Sequence, residues 1–381
     1  MALLTVGVVG TSLKENERRV PIHPDHLDRI PEDLRRHLIF QTGYGTRFGM
    51  PDSALKAFAG GVTSREKILA ESDIVVLPKA VPADYHALRE GAVFCGWPHC
   101  VQQHVPTQTA IDRKLTMLAW EAMFSWLPGG ARDLHCYYKN NELAGFCSVI
   151  HALGLLGIDG NYGPPRKVAV LSFGSVSRGA IYALQGRGYG DITVFTQRLS
   201  HLVRDQIYGC EFKHMRRGAA GEAAVVVGES DGSTHPLMED LAKADVIVNG
   251  ILQDTDSPLM YMTAGEVASL KPGCLIVDGS CDLDMGFPFA KPTSFEEPMF
   301  DVGRVHYYAV DHTPSYLWDS ASWEVSCALL PYLRDIMSGP EGWARNETLR
   351  RAIEIRDGVI QNPKILSFQR RSPQYPHPVM A

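Results

Sequence analysis

Short apolar, β-branched runs alternate along the chain with longer segments whose apolar residues recur every three or four positions. That alternation predicts parallel sheets whose strands are joined by helical crossovers. In the first third, Leu4–Val9, Leu38–Gln41, Ile74–Leu77, Val93–Gly96 and Thr116–Ala119 predict strands, with helical patterns at Pro24–Ile30, Pro51–Phe58 and Val105–Lys114. These form a complete doubly wound set within about 120 residues. A long helical stretch, Asn140–Gly157, and a turn-rich segment, Gly160–Pro165, lead into a second set. Its strands are predicted at Lys167–Ser172, Asp191–Phe195, Ala223–Val227, Val246–Asn249, Cys274–Asp278 and His306–Val310. Beyond Asp311 the pattern predicts a helix at Ser320–Ser338 and a charged amphipathic helix around Glu347–Ile355. A tail with no strands of its own is expected to pack back on the first set. The predicted fold is α/β, with a domain over 138–314 inserted into a discontinuous one made of 1–137 and 315–381.

Composition narrows the function classes. The 381 residues suit two domains at roughly 150 residues each, and 45% apolar with 21% charged residues is ordinary globular usage. With 43 acidic against 37 basic residues the net charge is −6, and no basic stripe exists to meet a phosphate backbone. The pairs Arg216-Arg217, Arg350-Arg351 and Arg370-Arg371 are isolated. No run approaches the about 20 apolar residues of a membrane span, and no basic segment precedes the apolar N-terminus, which therefore reads as a buried strand and not a signal peptide. The eight cysteines show no CxxC spacing, so neither a disulfide framework nor a metal site is expected, and reduced thiols in a cytoplasm are the default.

The turn after the first strand of the second set, Leu171-Ser-Phe-Gly174-Ser-Val-Ser177-Arg-Gly179, runs from strand to helix. A dinucleotide fingerprint would place glycines at 172, 174 and 177, and only Gly174 is present. It is the position at which a Cβ would block the pyrophosphate from the helix N-terminus. Ser177 is small enough to keep helix and strand close, and its hydroxyl can bond phosphate; the turn can equally be an ordinary βα connection. The next strand ends at Thr196-Gln197-Arg198, where an NAD enzyme carries Asp or Glu for the ribose diol. An arginine in that place suits the 2′-phosphate of NADP(H), unless it is simply solvated. NADP(H) is expected in preference to NAD(H), in a Rossmann-like dinucleotide domain.

Candidate chemistry sits just beyond strand ends. Arg18 and Arg19 follow the first strand and can bind a carboxylate with a guanidinium fork, or pair with Glu15 and Glu17. Lys79, His99 and Glu121 close the next strands in turn. Each alone reads as structural, but strand ends of one parallel sheet share a rim, and a histidine beside a lysine can move protons at a carbonyl. In the second set, Asp278 and Asp282 bracket Gly-Ser-Cys, and Asp311-His312 follows the last strand. Their alternative role is capping and turn formation.

The segments Gly96-Trp-Pro-His-Cys-Val-Gln102, Ala119-Trp-Glu-Ala-Met123, Tyr138-Lys-Asn-Asn-Glu-Leu-Ala-Gly145, Gly174-Ser-Val-Ser-Arg-Gly-Ala180 and Val310-Asp-His-Thr-Pro-Ser315 resemble the alanine dehydrogenase, transhydrogenase and saccharopine dehydrogenase superfamily over nearly the whole chain. The nearest branch is the opine-type N5-(carboxyethyl)ornithine synthases. The resemblance implies that Arg19, helped by Arg18, binds a keto-acid carboxylate. Lys79 would contact the keto acid or relay protons, His99 would be the acid–base residue, and Glu121 would orient or tune Lys79. Asp282 would stand near the nicotinamide, with Asp278 the second choice. Cofactor contacts are implied at Ser172, Gly174, Ser175, Val176, Ser177, Thr196, Gln197, Arg198, Asn249, Gly250, Asp278, Asp311 and His312. The implied activity is NADPH-dependent condensation of pyruvate, or a similar 2-keto acid, with an amino group of an ornithine- or lysine-like amino acid. Alanine dehydrogenase and saccharopine-type chemistry are alternatives, as is an NADP(H)-binding sensor without catalysis. The expected partners are these small molecules and further copies of the chain, with neither nucleic acid nor membrane.

Overall fold

A computed structural model describes residues 3–219 and 223–380. The chain divides into two compact units, Met1–Tyr138 with Trp318–Ala381, and Lys139–Leu317. The first unit opens with strands β1 (Val6–Val8), β2 (Leu38–Gln41), β3 (Gly61–Thr63), β4 (Ile74–Val76), β5 (Val93–Gly96) and β6 (Thr116–Ala119). All six are parallel, in the order 3-2-1-4-5-6 of a dinucleotide-type sheet. A separate hairpin, β7 (Phe124–Trp126) and β8 (Arg132–His135), follows. Helices cover both faces, so successive residues serve opposite cores. Val6, Val8, Ile74 and Val76 pack with Val325, Leu329 and Ile336, whereas Val9, Val75 and Leu77 pack with Ile68, Leu69 and Ile111. This is why the strands read as unbroken apolar runs.

The second unit repeats the plan. Its strands are β9 (Lys167–Leu171), β10 (Asp191–Thr196), β11 (Cys210–Arg216), β12 (Val225–Val227), β13 (Thr234–Pro236), β14 (Val246–Asn249), β15 (Leu275–Asp278), β16 (Met299–Val302) and β17 (Val305–Tyr308). The parallel centre runs β11-β10-β9-β14-β15-β17, the same winding order as in the first unit. The run expected at Ala223–Val227 is strand over its last three residues, but β12 pairs antiparallel with β11. The third parallel strand is β11, whose Cys-Glu-Phe-Lys-His-Met-Arg sequence lies half-exposed and lacks the apolar signature of a central strand.

The helices Tyr138–Leu156 and Ser175–Gly186 approach each other through glycine. A Cβ at Gly145 would lie 1.8 Å from Val176 O, and one at Gly179 would lie 1.7 Å from Glu142 O. Gly179 is therefore a packing glycine.

The tail departs from expectation. The helix around Glu347–Ile355 ends at Ala352, and the chain then enters β18 (Ile353–Arg356) and β19 (Val359–Ile360). These extend the first sheet beyond β6 in the order β19-β18-β6, both antiparallel. Asp357 and Gly358, at φ 49° and 80°, make the two-residue turn between them. Among the described residues no helix is long and apolar enough to cross a membrane.

Replacing Gly145 by Val forces a branched side chain into the Val176 carbonyl. The expected cost is at least about 2 kcal/mol, read as a lower unfolding midpoint in denaturant. A variant as stable as the parent would show that the two helices can separate without penalty.

Candidate active site

In the first unit the loops beyond four strand ends are tied together. After β1, the Gln41 side chain accepts from Gly10 N and Thr11 N at 3.0 and 3.2 Å, and Ser12 Oγ donates to Lys79 O at 2.5 Å. Arg19 is buried, and its Nε and Nη2 donate to the Glu17 carboxylate at 2.8 and 2.5 Å. Its guanidinium lies 4.9 Å from the Trp97 ring centroid, at the end of β5. Trp97 stands edge-on to Trp120 at 4.8 Å, and Trp120 stacks on Tyr137 at the same spacing. This aromatic floor was not singled out from the sequence, although Trp97 and Trp120 lie in the motifs quoted above. Arg18, by contrast, is exposed.

Lys79 Nζ lies 2.9 Å from His99 Nε2. An ammonium donor at Nε2 leaves the imidazole proton on Nδ1, which is 3.8 Å from Glu121 Oε1. His99 has a left-handed backbone, φ 49°, unusual for a side chain of this size. The conformation is held from both sides. His99 N donates to Glu121 Oε1 at 2.6 Å, while His99 O accepts from Gln102 N and Gln103 N. Glu121 thus fixes the histidine loop, and the charge of Lys79 also acts on its carboxyl. Burial, and then the neighbouring Glu354 carboxyl, push the Glu121 carboxyl well above the ordinary range. Sequence reasoning missed Glu354 because its segment was read as helix. The alternation Ile353-Glu-Ile-Arg before Asp357-Gly358 was the available signal for a hairpin.

In the second unit, β9 is followed by Ser172, left-handed at φ 87°, whose hydroxyl accepts from Gly174 N at 3.2 Å. Gly174 begins the helix Ser175–Gly186 without a side-chain cap. A Cβ at Gly174 would meet only Ser172 Oγ, at 3.6 Å. The first-turn N–H groups of half-exposed Ser175 and Val176, with no side chain at exposed Gly174 to block the approach, thus form an open cradle suited to a pyrophosphate. Ser177 does not join it, because it is fully buried and its Oγ donates to Leu171 O at 3.2 Å. Gly250 packs against it, where a Cβ would come within 2.4 Å of Ser177 Oγ. At the end of β10, Thr196 is buried and accepts from Arg198 N, while Gln197 and Arg198 are exposed.

Asn249 and Asp278, both expected at the cofactor, are buried, and their side chains belong to one hydrogen-bonded network. Asn249 Nδ2 donates to Asp278 Oδ1 at 2.9 Å, and Tyr307 Oη donates to Asp278 Oδ2 at 2.7 Å. Ser280 N and Cys281 N also bond Asp278 Oδ1. Asn249 Oδ1 accepts from Tyr261 Oη and Ile251 N. Both side chains are spent on shaping the loops after β14 and β15. Cys281 is left-handed there, at φ 57°. Burial, reinforced by the negative charge of Asp278, pushes the half-buried Asp282 carboxyl up to about 7. Of the two aspartates, Asp282 has the titration suited to chemistry near neutrality. His312 is buried with Nδ1 2.7 Å from Asp311 Oδ1, and it stands edge-on to Phe295 at 5.0 Å.

Residues 8–127 match the family model described as alanine dehydrogenase/PNT, N-terminal domain, and residues 158–363 match the C-terminal domain model. The chain belongs to the alanine dehydrogenase/PNT family. It is an oxidoreductase of the class acting on amino-acid CH–NH donors, in a family that binds nicotinamide dinucleotides. Among its relatives, an N(5)-(carboxyethyl)ornithine synthase from Clostridium botulinum is 25% identical, over 82% of this chain and 88% of its own. An alanine dehydrogenase from Mycobacterium tuberculosis is 24% identical over 94% and 95%. The solved structure of an L-alanine dehydrogenase matches 96% of this chain and 99% of its own, at TM-score 0.74 and 21% identity. It shows the shared fold with two Rossmann-like domains.

The raised Asp282 carboxyl has a stability consequence. Its folded pKa of about 7 lies above its ordinary 3.8, so the folded state holds a proton that the unfolded chain releases. Its contribution is present below pH about 4 and lost as pH rises to about 7. Denaturation midpoints of Asp282→Asn should fall less steeply than the parent's across this window; parallel curves would contradict the assignment.

Proposed function

We propose that the protein is an NADPH-dependent opine-type dehydrogenase, which joins a 2-keto acid such as pyruvate to an amino group of an ornithine- or lysine-like amino acid. The observation that carries the reading is the Lys79–His99 pair at 2.9 Å, with the histidine loop fixed by Glu121. Two coarser facts support it: family membership, and the carboxyethylornithine synthase relatives at 25–26% identity.

In this reading Arg19, oriented in advance by Glu17, binds the keto-acid carboxylate. The amine attacks the carbonyl carbon to give a carbinolamine. His99 donates the proton that lets hydroxide depart as water, and the amine nitrogen gives up its own proton as the imine forms. Lys79, bonded to His99 Nε2, polarises the carbonyl oxygen and resupplies the proton. Gly174, Ser175 and Val176 would hold the cofactor pyrophosphate, and Arg198 the 2′-phosphate. When bound, the reduced nicotinamide would supply the hydride to the imine carbon, and a proton returned to the nitrogen completes the secondary amine. Asp282 serves as the nearby acid whose proton is exchangeable at neutral pH. The assignment of Met1–Tyr138 with Trp318–Ala381 as substrate unit and Lys139–Leu317 as dinucleotide unit is part of the same proposal.

A second reading, reductive amination of pyruvate by ammonia, is favoured by the alanine dehydrogenase relatives, which span more of the chain. NADPH oxidation with pyruvate plus ornithine or lysine, set against pyruvate plus ammonia, separates the two. Turnover with ammonia alone would overturn the opine reading.

For the cofactor, Arg198→Ala should weaken NADPH binding by about ten- to a hundredfold, the loss of one charge-assisted bond, and leave NADH binding unchanged. Equal binding of both cofactors by parent and variant would remove Arg198 from the 2′-phosphate. His99→Ala should lower kcat by at least about a hundredfold with NADPH affinity retained; a near-normal rate would exclude it from the chemistry.

A further inference from the structure

Beyond β19 the chain returns to the histidine loop and meets it with one side-chain amide. The helix Pro363–Phe368 is capped at its start by Asn362, whose side chain accepts from Lys364 N at 3.0 Å, and Ile365 anchors it in the core that holds Cys100, Ile111 and Ile355. The helix ends at Gln369, which is 2% exposed. Gln369 Nε2 lies 2.7 Å from Cys100 O, 3.2 Å from Val101 O, and 3.3 Å from both Gln103 O and Thr107 Oγ1. An amide nitrogen carries two protons, so the shortest contact takes one and the other acceptors share the second. On the opposite side, Gln369 Oε1 accepts from Arg371 Nε at 2.7 Å. These partners fix which end of the amide faces the loop, because a flipped amide would set oxygen against three carbonyls and nitrogen against a guanidinium. Arg371, one of an isolated basic pair in the sequence, is itself 3% exposed, and its Nη1 donates to Gln108 Oε1 at 2.8 Å and to His377 O at 3.1 Å.

The segment held in this way is the one that presents His99. Its left-handed residue receives Gln102 N and Gln103 N on the His99 carbonyl at 3.1 and 2.9 Å, and Thr107 Oγ1 donates to Cys100 O at 2.8 Å. Those bonds are internal to residues 99–107 and set the shape of the turn. Glu121 attaches the turn at the His99 amide, and Gln369 attaches it again at the carbonyls that follow. A left-handed side chain of this size persists only where its surroundings over-determine it. Without the Gln369 amide, buried carbonyl oxygens would lose their donor, and the turn would relax to find another. We infer that Gln369 is a positioning residue for His99: its amide clamps the turn behind the imidazole and holds Nε2 at Lys79, and Arg371 sets the orientation of that amide. The C-terminal segment thereby belongs to the candidate active site without any of its side chains touching substrate. The effect on turnover rests on the function proposed above; the clamp on the loop does not.

Gln369→Met keeps the length of the side chain and removes the donor. In the full-length protein, kcat for NADPH oxidation with pyruvate and ornithine should fall by about ten- to a hundredfold, the range for a displaced catalytic group, with NADPH affinity retained. A double-variant cycle separates positioning from general damage. In a His99→Ala background, Gln369→Met should cause no further loss, because a clamp that acts through the imidazole has nothing left to place. Losses that multiply would overturn the inference. NMR of 15N-labelled histidine reads the clamp without turnover. The imidazole signal missing from His99→Ala belongs to His99, and it should move in Gln369→Met; an unmoved signal would equally overturn the inference. If Gln369→Met folds poorly, Arg371→Lys, which releases Oε1 from its guanidinium, should move the same signal, and no movement there counts against the clamp. A moved signal in a protein that turns over no amine would leave the clamp standing and refute the function.

Discussion

Because parallel neighbours cannot be joined by a tight turn, each central strand is followed by a long crossover, and the carboxyl ends of the whole series face the same edge of the sheet. In both units the order 3-2-1-4-5-6 adds a switch point, between β1 and β4 in one and between β9 and β14 in the other, where successive crossovers diverge and leave a crevice. Arg19 and Lys79 lie beyond the first pair of strand ends, and Gly174 and Gly250 beyond the second. The apolar interior of each strand is what makes this possible. With both faces buried, a strand has room for polar chemistry only beyond its last residue.

Backbone strain is concentrated at those ends. His99, Ser172 and Cys281 all occupy the left-handed region that favours glycine, and each is restrained by a nearby acceptor or donor. Glu121 captures the His99 amide, the Ser172 hydroxyl receives Gly174 N, and Asp278 receives Cys281 N. Conformations of this kind persist only where surrounding bonds over-determine them. Here the restraining groups are largely carboxylates, so the shape of the candidate site and its protonation are linked through the same atoms. Asp278 illustrates the division of labour. Saturated with donors, it builds the loop, and its charge adds to the burial that lifts the pKa of Asp282.

The motif most often used to recognise dinucleotide sites is degraded in this chain, yet the cradle survives. Of the three fingerprint positions only Gly174 keeps a glycine, and it is the one where a side chain would stand in the way of phosphate. Ser172 adopts the left-handed turn at some conformational cost and uses its hydroxyl to brace the next amide. Ser177 replaces a packing glycine with the smallest side chain that can also bond the end of β9. The close helix approach that a third glycine ordinarily allows is supplied by Gly145 and Gly179.

The sequence by itself determined the strands buried on both faces and the residues beyond them. β2, β5, β6 and β14 fall within the predicted bounds because an unbroken apolar run has no other solution in a sheet covered by helices. Lys79, His99 and Glu121 were legible for the same reason, as polar residues placed immediately after such runs. Segments at the margins were not legible. β11 is half-exposed and mixes charges into its pattern, and the Glu347–Ile355 segment carries helix and strand signals within a few residues. What only tertiary structure decided is which polar groups meet. Ser177 turns to Leu171 instead of outward, Glu17 takes the Arg19 fork, and a bulge in β18 turns Glu354 into the interior. Those pairings arise from register, bulges and loop closure between distant segments, and local periodicity carries no record of them.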